Sequence, residues 1–417
     1  MFENSAVTRA PGLPVRNEFP VFSRYREKPL AYLDTAASSQ KPRAVIDRLS
    51  SYLSEEHANI HRGAYALSAR ATELYDQARK KVAAFLGAKS ERSIVFTRGS
   101  TESINLVAHA LENYFNPGDA ILLTLLEHHS NIVPWQLLAQ RRGIRVIFSD
   151  IRDNGLLDMD DFRSKLAQFK PRFVAVTQTA NSLGTVTPLA EIIAISQQAG
   201  ARVLVDAAQS AAHQKIDVAG LNCDFLVFSG HKLYGPTGCG VLYAREDMFS
   251  QMEPFQGGGD MIERVTVNGS TWAPYPQKFE AGTPAIAEAI ALGTALDFIT
   301  SIGIERIREH EQRLTERAWE LFKTEGDIVL YGPGPEQGQQ SSIIAFNLRG
   351  VHGHDLSTIA DEKFNVQFRS GHHCAQPALD RLRISSCARI SFGVYSDLQD
   401  VEALLSACKY ARRIFNS

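Results

Sequence analysis

Two residues suited to covalent chemistry, Asp206 and Lys232, each stand just past a predicted strand. Asp206 lies in the string V-L-V-D-A-A-Q, and Lys232 lies in F-S-G-H-K-L-Y-G-P-T-G. Side chains at the carboxyl ends of neighbouring strands in an open α/β sheet converge on one crevice. Lysine can form a Schiff base with the aldehyde of pyridoxal phosphate, while aspartate keeps the ring nitrogen protonated. The pair therefore predicts a pyridoxal-phosphate site, although either residue alone reads equally well as a surface lysine or a helix-capping aspartate.

A phosphate group would need its own binding site, and the string R-G-S-T-E (98–102) offers one. It lies between a predicted strand and a predicted helix, so its amides and the hydroxyls of Ser100 and Thr101 stand at a helix N-terminus, which favours anions. Ser229 and His231, which flank Lys232 closely, can supply further donors. An ordinary helix N-cap remains the alternative. The glycines after Lys232 form neither G-x-G-x-x-G nor a P-loop, which excludes those nucleotide sites.

Two clusters contain histidines. The string E-H-H-S-N (127–131) follows a predicted strand, and the ring of His128 could stack on a flat cofactor. The string R-S-G-H-H-C-A-Q-P (369–377) places Cys374 after two imidazoles and near an arginine, which lowers a thiol pKa. A thiolate nucleophile is the sharper hypothesis there; metal binding and an inert buried cysteine are the alternatives, and no metal site is expected. Arg389 could bind a substrate carboxylate or form a surface ion pair.

The elements that must position these residues alternate between about residues 80 and 245. Apolar runs buried on both faces, separated by amphipathic segments, predict a mainly parallel sheet with helices on both sides. The last two runs follow each other too closely for a helical crossover, which predicts one antiparallel pairing. The predicted strands are Ser93–Thr97, Ala120–Leu125, Arg145–Ser149, Phe173–Thr177, Arg202–Val205, Phe225–Ser229 and Gly240–Ala244.

The pattern changes after a helical stretch at Pro284–Ile302. A long charged helix, a Gly/Pro/Gln-rich loop and a mixture of short strands and helices predict a second, smaller α+β domain. We therefore expect a large cofactor-binding domain at residues 31–300. A small domain formed by residues 1–30 and 301–417 would carry Cys374.

Composition limits the function classes. The chain has 417 residues, with 44 Lys plus Arg and 46 Asp plus Glu, so its charge gives no reason to expect nucleic acid or a membrane surface as partner. Its 5 cysteines form no C-x-x-C pair, which argues against a disulfide framework. No secretory signal or long apolar span is visible. We expect a soluble, cytoplasmic protein.

Together these strings resemble the cysteine desulfurases, specifically the group II, Suf-type members of the fold-type I pyridoxal-phosphate enzymes. The resemblance runs from about Phe19 to Ile414, and the lysine string joined to G-H-H-C-A-Q-P is its most specific part. Further matching strings are Y-L-D-T-A-A-S-S-Q-K-P (32–42), N-I-H-R-G (59–63), E-H-H-S-N-I-V-P-W (127–135) and F-E-A-G-T-P (279–284).

The resemblance implies a role for each matching residue. Lys232 would be the Schiff-base lysine, Cys374 would carry a persulfide, and His128 would stack on the cofactor ring. The residues that would bind the rest of the cofactor are Asp206 at the ring nitrogen, Gln209 at the ring hydroxyl, Ser100, Thr101, Ser229 and His231 at the phosphate, and Thr283 at the phosphate of the other subunit. The residues that would position the substrate are Asn181, Arg369 and Arg389, with Arg389 on its carboxylate.

The implied reaction converts L-cysteine to L-alanine and leaves the sulfur on the enzyme. A homodimer and a small sulfur-acceptor protein of the SufE or SufU type would pass that sulfur to iron–sulfur cluster assembly. The alternative is a selenocysteine lyase or cysteine sulfinate desulfinase on the same scaffold. Three positions depart from the family pattern: Ser100 replaces Ala or Thr, Gln178 replaces His, and Ser396 replaces Asn.

Overall fold

The computed structural model describes residues 13–25 and 27–415, so residues 1–12, 26, 416 and 417 of the predicted small domain lie outside it. The strands in the described residues are β1 Ala31–Tyr32, β2 Ile94–Thr97, β3 Ala120–Thr124, β4 Arg145–Ser149, β5 Phe173–Thr177, β6 Arg202–Asp206, β7 Phe225–Ser229, β8 Gly240–Ala244, β9 Ile262–Thr266, β10 Gly269–Trp272, β11 Ile328–Tyr331, β12 Ile343–Leu348, β13 Val366–Gln367, β14 Arg369–Gly371 and β15 Cys387–Ser391.

Helices connect and cover these strands. They are α1 Pro20–Ser23, α2 Arg43–Ser51, α3 Ala66–Leu86, α4 Ser100–Ala110, α5 Val133–Arg142, α6 Met159–Phe169, α7 Leu189–Gln198, α8 Val218–Leu221, α9 Ile286–Ile302, α10 Ile304–Thr324, α11 Gly353–Phe364, α12 Gln376–Arg381 and α13 Leu398–Phe415.

The large sheet has seven strands in the order β2-β8-β7-β6-β5-β3-β4. Strands β3 to β7 pair in parallel, and β8 pairs antiparallel with both β7 and β2. One reversed strand therefore accounts for both antiparallel ladders. The predicted α/β class, with a mainly parallel seven-stranded sheet, is confirmed.

Alternate residues of each central strand enter two different apolar cores, because successive side chains of a strand point to opposite faces. In β7, Leu226 and Phe228 join the core formed with α3, α7 and α9, whereas Phe225 and Val227 join the core formed with α4 and α5. Burial on both faces explains why these strands read as continuous apolar runs in the sequence. The arrangement fixes the strand ends, and with them the loops that follow.

A smaller antiparallel sheet has the order β11-β12-β15-β14 and packs on a third core with α10, α11 and α13. The neighbouring short strands β13 and β14 have different partners: β13 pairs in parallel with β1, and β14 pairs antiparallel with β15. This smaller α+β part of the fold is also confirmed. No observation tests the predicted division into domains near residue 300, which stays a prediction.

Within the described part of the chain, no single helix is long and apolar enough to span a bilayer. Taken together, α9 and α10 have the length and the apolar composition of a membrane span, but the two helices meet at a bend of 74°.

Candidate active site

A cavity of about 230 Å³ lies at the carboxyl ends of the parallel strands, and the smaller sheet contributes part of its lining. The structure brings together in it every predicted site residue except Thr283. Those residues are Ser100, Thr101, His128, Asn181, Asp206, Gln209, Ser229, His231, Lys232, Arg369, Cys374 and Arg389.

Lys232 and Asp206 lie at the ends of adjacent parallel strands. Asp206 is the last residue of β6 and is 3% exposed; its Oδ1 accepts a hydrogen bond of 2.9 Å from the amide of Ala208. Burial lowers the pKa of Lys232 to about 8, against the opposing effect of Asp206. Burial likewise raises the pKa of Asp206, while the Ala208 amide and Lys232 oppose this. A buried lysine with this pKa keeps a useful fraction of neutral, nucleophilic amine near neutral pH.

The start of α4 and the end of β7 form the anion-binding end of the cavity. The amide of Ser100 donates to Ser229 Oγ at 2.9 Å, and the two hydroxyl oxygens lie 2.8 Å apart. A Cβ on Gly240 would lie 2.3 Å from Gly99 Cα, so β8 can approach this turn only with glycine at position 240. Burial lowers the pKa of the neighbouring His231 to about 4, so its imidazole is neutral at pH 7.

His128 caps the 3-10 turn that follows β3. Its Nδ1 accepts a hydrogen bond from the amide of Ser130 at 3.1 Å and lies 2.8 Å from the Ser130 hydroxyl. Burial, reinforced by Lys232, lowers the pKa of His128 to about 3. The ring is therefore neutral and fixed in orientation, as stacking on an aromatic cofactor requires.

Four polar residues meet at the smaller sheet's side of the cavity: Asp34, Asn181, Arg369 and Arg389. Arg389, on β15, is 2% exposed and donates to the carbonyl of Asn181 at 2.9 Å and to Asp34 Oδ1 at 3.2 Å. The other oxygen of Asp34 lies 3.3 Å from the guanidinium of Arg369. Among the buried polar atoms of the described residues that have no hydrogen-bond partner are Arg389 Nε and Asn181 Oδ1. They are a free donor and a free acceptor, which suits a ligand that carries both a carboxylate and an amine.

Cys374 follows β14 and is exposed at the cavity. Both His373 and Cys374 have left-handed backbone conformations, with φ of 53° and 55°, which non-glycine residues adopt only when neighbours hold them there. The Asn181 side-chain amide donates to the carbonyl of His373 at 2.6 Å, and His373 Nε2 lies 2.8 Å from the carbonyl of Cys387. Cys374 is thereby presented on a fixed loop.

The other cysteines differ from Cys374 in burial. The remaining four cysteines are all buried, so their thiols are inaccessible to solvent. Burial also raises the pKa of each of these thiols, so they are protonated near neutral pH. We refer to them as the four buried cysteines: Cys223, Cys239, Cys387 and Cys408.

Thr283 is the predicted site residue that lies outside this cavity. It is exposed and lines a different cavity beside Arg98, Glu102 and Glu280. Glu280 fixes this segment, because its carboxylate forms a bidentate pair with the buried Arg79 at 2.7 and 2.8 Å.

Sequence reasoning missed Asp34, which binds both arginines at the substrate side. A signal was present, since Asp34 lies in the string Y-L-D-T-A-A-S-S directly after an apolar pair. Its partners, however, lie more than 300 positions away, and the segments meet only in the folded chain, where β1 pairs with β13 and Asp34 forms a bridge with Ser391.

The residues present fit pyridoxal phosphate. Asp206 is a carboxylate whose pKa is raised by burial, Lys232 is a buried amine, and the start of α4 offers hydroxyls and amides to a phosphate. The neutral ring of His128 lies in the same cavity. The cofactor carries a cationic pyridine nitrogen that would pair with Asp206, an aldehyde that would react with Lys232, and a phosphate dianion that would bind at the start of α4.

Comparison with known proteins gives a consistent assignment. Residues 31–404 match the family described as aminotransferase class-V. A probable cysteine desulfurase of Synechocystis sp. is 44% identical over 404 residues, which cover 96% of each chain. A cysteine desulfurase of Dickeya dadantii is 45% identical over 403 residues, again covering 96% of each chain.

Solved structures agree. The apo structure of a cysteine desulfurase from Thermococcus onnurineus superposes with a TM-score of 0.91 at 38% identity, covering 97% of this chain and 100% of the other. An Escherichia coli cysteine desulfurase, in an S-sulfonic acid form, gives 0.89 at 36% identity, covering 98% and 100%. The chain therefore belongs to the aminotransferase class-V family and is a pyridoxal-phosphate-dependent enzyme of fold type I.

Proposed function

We propose that this enzyme is a cysteine desulfurase that converts L-cysteine to L-alanine and keeps the sulfur on Cys374 as a persulfide. One observation carries the proposal: an exposed thiol lines the same cavity as the amine of Lys232, the carboxylate of Asp206 and the guanidinium of Arg389. The relatives named as cysteine desulfurases support it.

The residues of this chain divide the work between the two sides of the cavity. Arg389 would bind the substrate carboxylate through its free Nε, and the unpaired Oδ1 of Asn181 would orient the substrate amine. The cofactor, when bound, supplies an electron sink that stabilises negative charge at the substrate α-carbon. Asp206 would hold the proton on its ring nitrogen, and His128 would lie against its ring.

Lys232 would then act as a general base, since its lowered pKa leaves neutral Nζ to accept the α-proton. The thiolate of Cys374 would attack the substrate sulfur. The carbon–sulfur bond breaks, a sulfur–sulfur bond forms on Cys374, and the substrate β-carbon takes up a proton. L-cysteine and the enzyme thiol thus give L-alanine and an enzyme persulfide, with atoms and electrons balanced.

The test is the Cys374→Ala variant. We expect it to retain the visible absorbance of the bound cofactor and to lose alanine formation from L-cysteine almost completely. Alanine formation at the unchanged rate would refute the persulfide role. Retention of alanine formation from L-selenocysteine or L-cysteine sulfinate is compatible with the proposal, because those substrates need no thiolate attack. If the unchanged protein acted on those two substrates alone, the selenocysteine lyase reading would replace ours.

We further propose the finer features that the sequence resemblance implies. These are the Suf-type group II assignment, a cytoplasmic homodimer, a large domain at residues 31–300, and a small acceptor protein that takes the persulfide sulfur to iron–sulfur cluster assembly. The exposed position of Thr283, outside its own chain's cavity, is compatible with a role at the phosphate of a second subunit. Sedimentation of the Thr283→Ala holoenzyme together with its cofactor content tests that role, since we expect an intact dimer with weaker cofactor retention.

A further inference from the structure

His129 joins two segments that the proposed reaction must keep together. Its backbone amide donates to the carbonyl of Cys374 at 2.9 Å, and its Nε2 accepts from the amide of Gln376 at 3.4 Å. One residue of the β3 loop thus contacts both the carbonyl of the proposed sulfur carrier and the backbone amide two residues beyond it. We call this pair of hydrogen bonds the His129 contact.

The base of this contact is rigid. His129 begins a 3-10 turn whose Asn131 is fully buried, with its side-chain amide bonded to Glu127 at 2.7 Å and its carbonyl oxygen bonded to the indole of Trp135 at 3.0 Å. Trp135 and Glu127 are themselves fully buried. The β3 loop is therefore rigid enough to hold the Cys374 loop in place.

The loop that His129 contacts, which carries Cys374, has a strained backbone. His373 and Cys374 are consecutive non-glycine residues in the left-handed region, with φ of 53° and 55°. Such a conformation persists only where the surroundings fix it. The side-chain amide of Asn181 fixes His373 from one side, and the His129 contact fixes Cys374 and Gln376 from the other.

The imidazole of His129 must be neutral to accept a hydrogen bond at Nε2. Burial, with a smaller effect from His372 on the Cys374 loop, lowers the pKa of His129 below its ordinary value. The neutral imidazole, which can accept at Nε2, is therefore the form that predominates near neutral pH, and the amide of Gln376 favours the tautomer with an unprotonated Nε2.

We propose that His129 is a positioning residue that holds Cys374 within reach of the substrate sulfur. It acts through the loop backbone and touches no reacting atom, so its loss should affect sulfur transfer and spare substrate binding. This inference rests on the proposed function, and it assigns to His129 a role distinct from that of its neighbour His128.

The experiment compares His129→Phe, which keeps a ring without an acceptor, with His129→Gln, whose side-chain oxygen can accept the same hydrogen bond. The exposed His354, at the start of α11, provides the matched control His354→Gln. The holoenzymes are assayed for alanine formation from L-cysteine, for sulfite formation from L-cysteine sulfinate, and for the rate at which iodoacetamide alkylates Cys374.

For His129→Phe we expect the kcat for L-cysteine to fall about tenfold to a hundredfold, because small displacements of a reacting group have effects of this size. KM, cofactor absorbance and the sulfinate reaction should stay within about twofold, since none of them needs the thiol in place. The alkylation rate of Cys374 should change in the same variant. His129→Gln should recover most of the L-cysteine activity.

An unchanged kcat and alkylation rate in His129→Phe would overturn the proposal. An equal loss in the sulfinate reaction would also overturn it, because it would place the effect on the whole cavity. If His129→Phe fails to bind cofactor, His129→Ala is measured in its place against the same control. Absence of L-cysteine activity in the unchanged protein would refute the proposed function, and the alkylation rates would still decide whether His129 positions Cys374.

Discussion

The depressed pKa of Lys232 makes a quantitative prediction about cofactor capture. An amine with a pKa of about 8 is neutral in about one molecule in ten at pH 7, whereas the ordinary value of 10.5 leaves about one in three thousand. Covalent capture of pyridoxal phosphate requires the neutral amine. At pH 7 the apoenzyme should therefore react about 300-fold faster than an exposed lysine of equal nucleophilicity.

Rapid mixing of apoenzyme with pyridoxal phosphate measures the rate through the rise of visible absorbance between pH 6 and pH 10. We expect the rate to increase with pH and to level off above about pH 8, where Lys232 is already deprotonated. Asp206 favours the charged lysine, so Asp206→Asn should move the midpoint to lower pH and weaken retention of the cofactor.

Lys41 provides a matched control, because burial lowers its pKa to about 8 as well and its Nζ donates to the carbonyl of His231 at 2.8 Å. Lys41→Arg should leave the profile unchanged, and Lys232→Arg should abolish capture. A rate that continued to rise to pH 10, or a midpoint that moved upward in Asp206→Asn, would refute the reasoning from burial.

Three further predictions concern the surroundings of the cavity. Asp34→Asn removes the carboxylate that orients Arg389, so KM for L-cysteine should rise about tenfold in steady-state kinetics; a lower KM would show that Asp34 competes with the substrate. Glu280→Gln strands Arg79, whose side chain is 5% exposed, and should lower the free energy of unfolding by about 3–5 kcal/mol in urea; a loss below about 1 kcal/mol contradicts this, and Arg79→Met in the same chain should recover part of it. Iodoacetamide at pH 7.5 should label Cys374 and spare the four buried cysteines, as peptide mass spectrometry would report; labelling of any buried thiol at a similar rate would be the contrary outcome.

The sequence predicts those parts of the fold whose residues are buried on both faces. The limits of β5, β7 and β8 agree with the predicted runs, because every residue of these strands is buried and nearly all of them are apolar. The limits of the edge strand β4 also agree, although it is less buried, because its apolar centre lies between Arg145 and Ser149. Lys232 then follows from its place after β7. The local sequence pattern is enough to predict a strand where burial requires its residues to be apolar.

Other elements carry no such signal. The hairpin of β9 and β10 is almost wholly exposed, with Val265 and Val267 in solvent, so it has no apolar face to detect. In α3 the buried face contains alanines such as Ala71 and Ala78, which weaken the helical periodicity. Neither element is predicted from the sequence.

The site shows the same division. Asp206 is the last residue of one strand, and Lys232 and His128 follow other strands of the same sheet, so the general geometry of α/β folds brings them together. Asp34 and the His129 contact depend on how the first strand and the Cys374 loop pack against distant segments. Pairings of that kind follow from tertiary structure and leave no local pattern in the chain.

The ion pair between Asp34 and Arg389 spans 355 positions of the sequence, and this affects the growing polypeptide. During translation, Lys232 and Asp206 leave the ribosome well before Cys374 and Arg389 do. A prematurely terminated product that ended between them would have Lys232 and Asp206 but would lack Cys374 and Arg389, to which we assign the sulfur and the carboxylate of the substrate. Incomplete translation products would thus lack two of the groups that the proposed reaction requires.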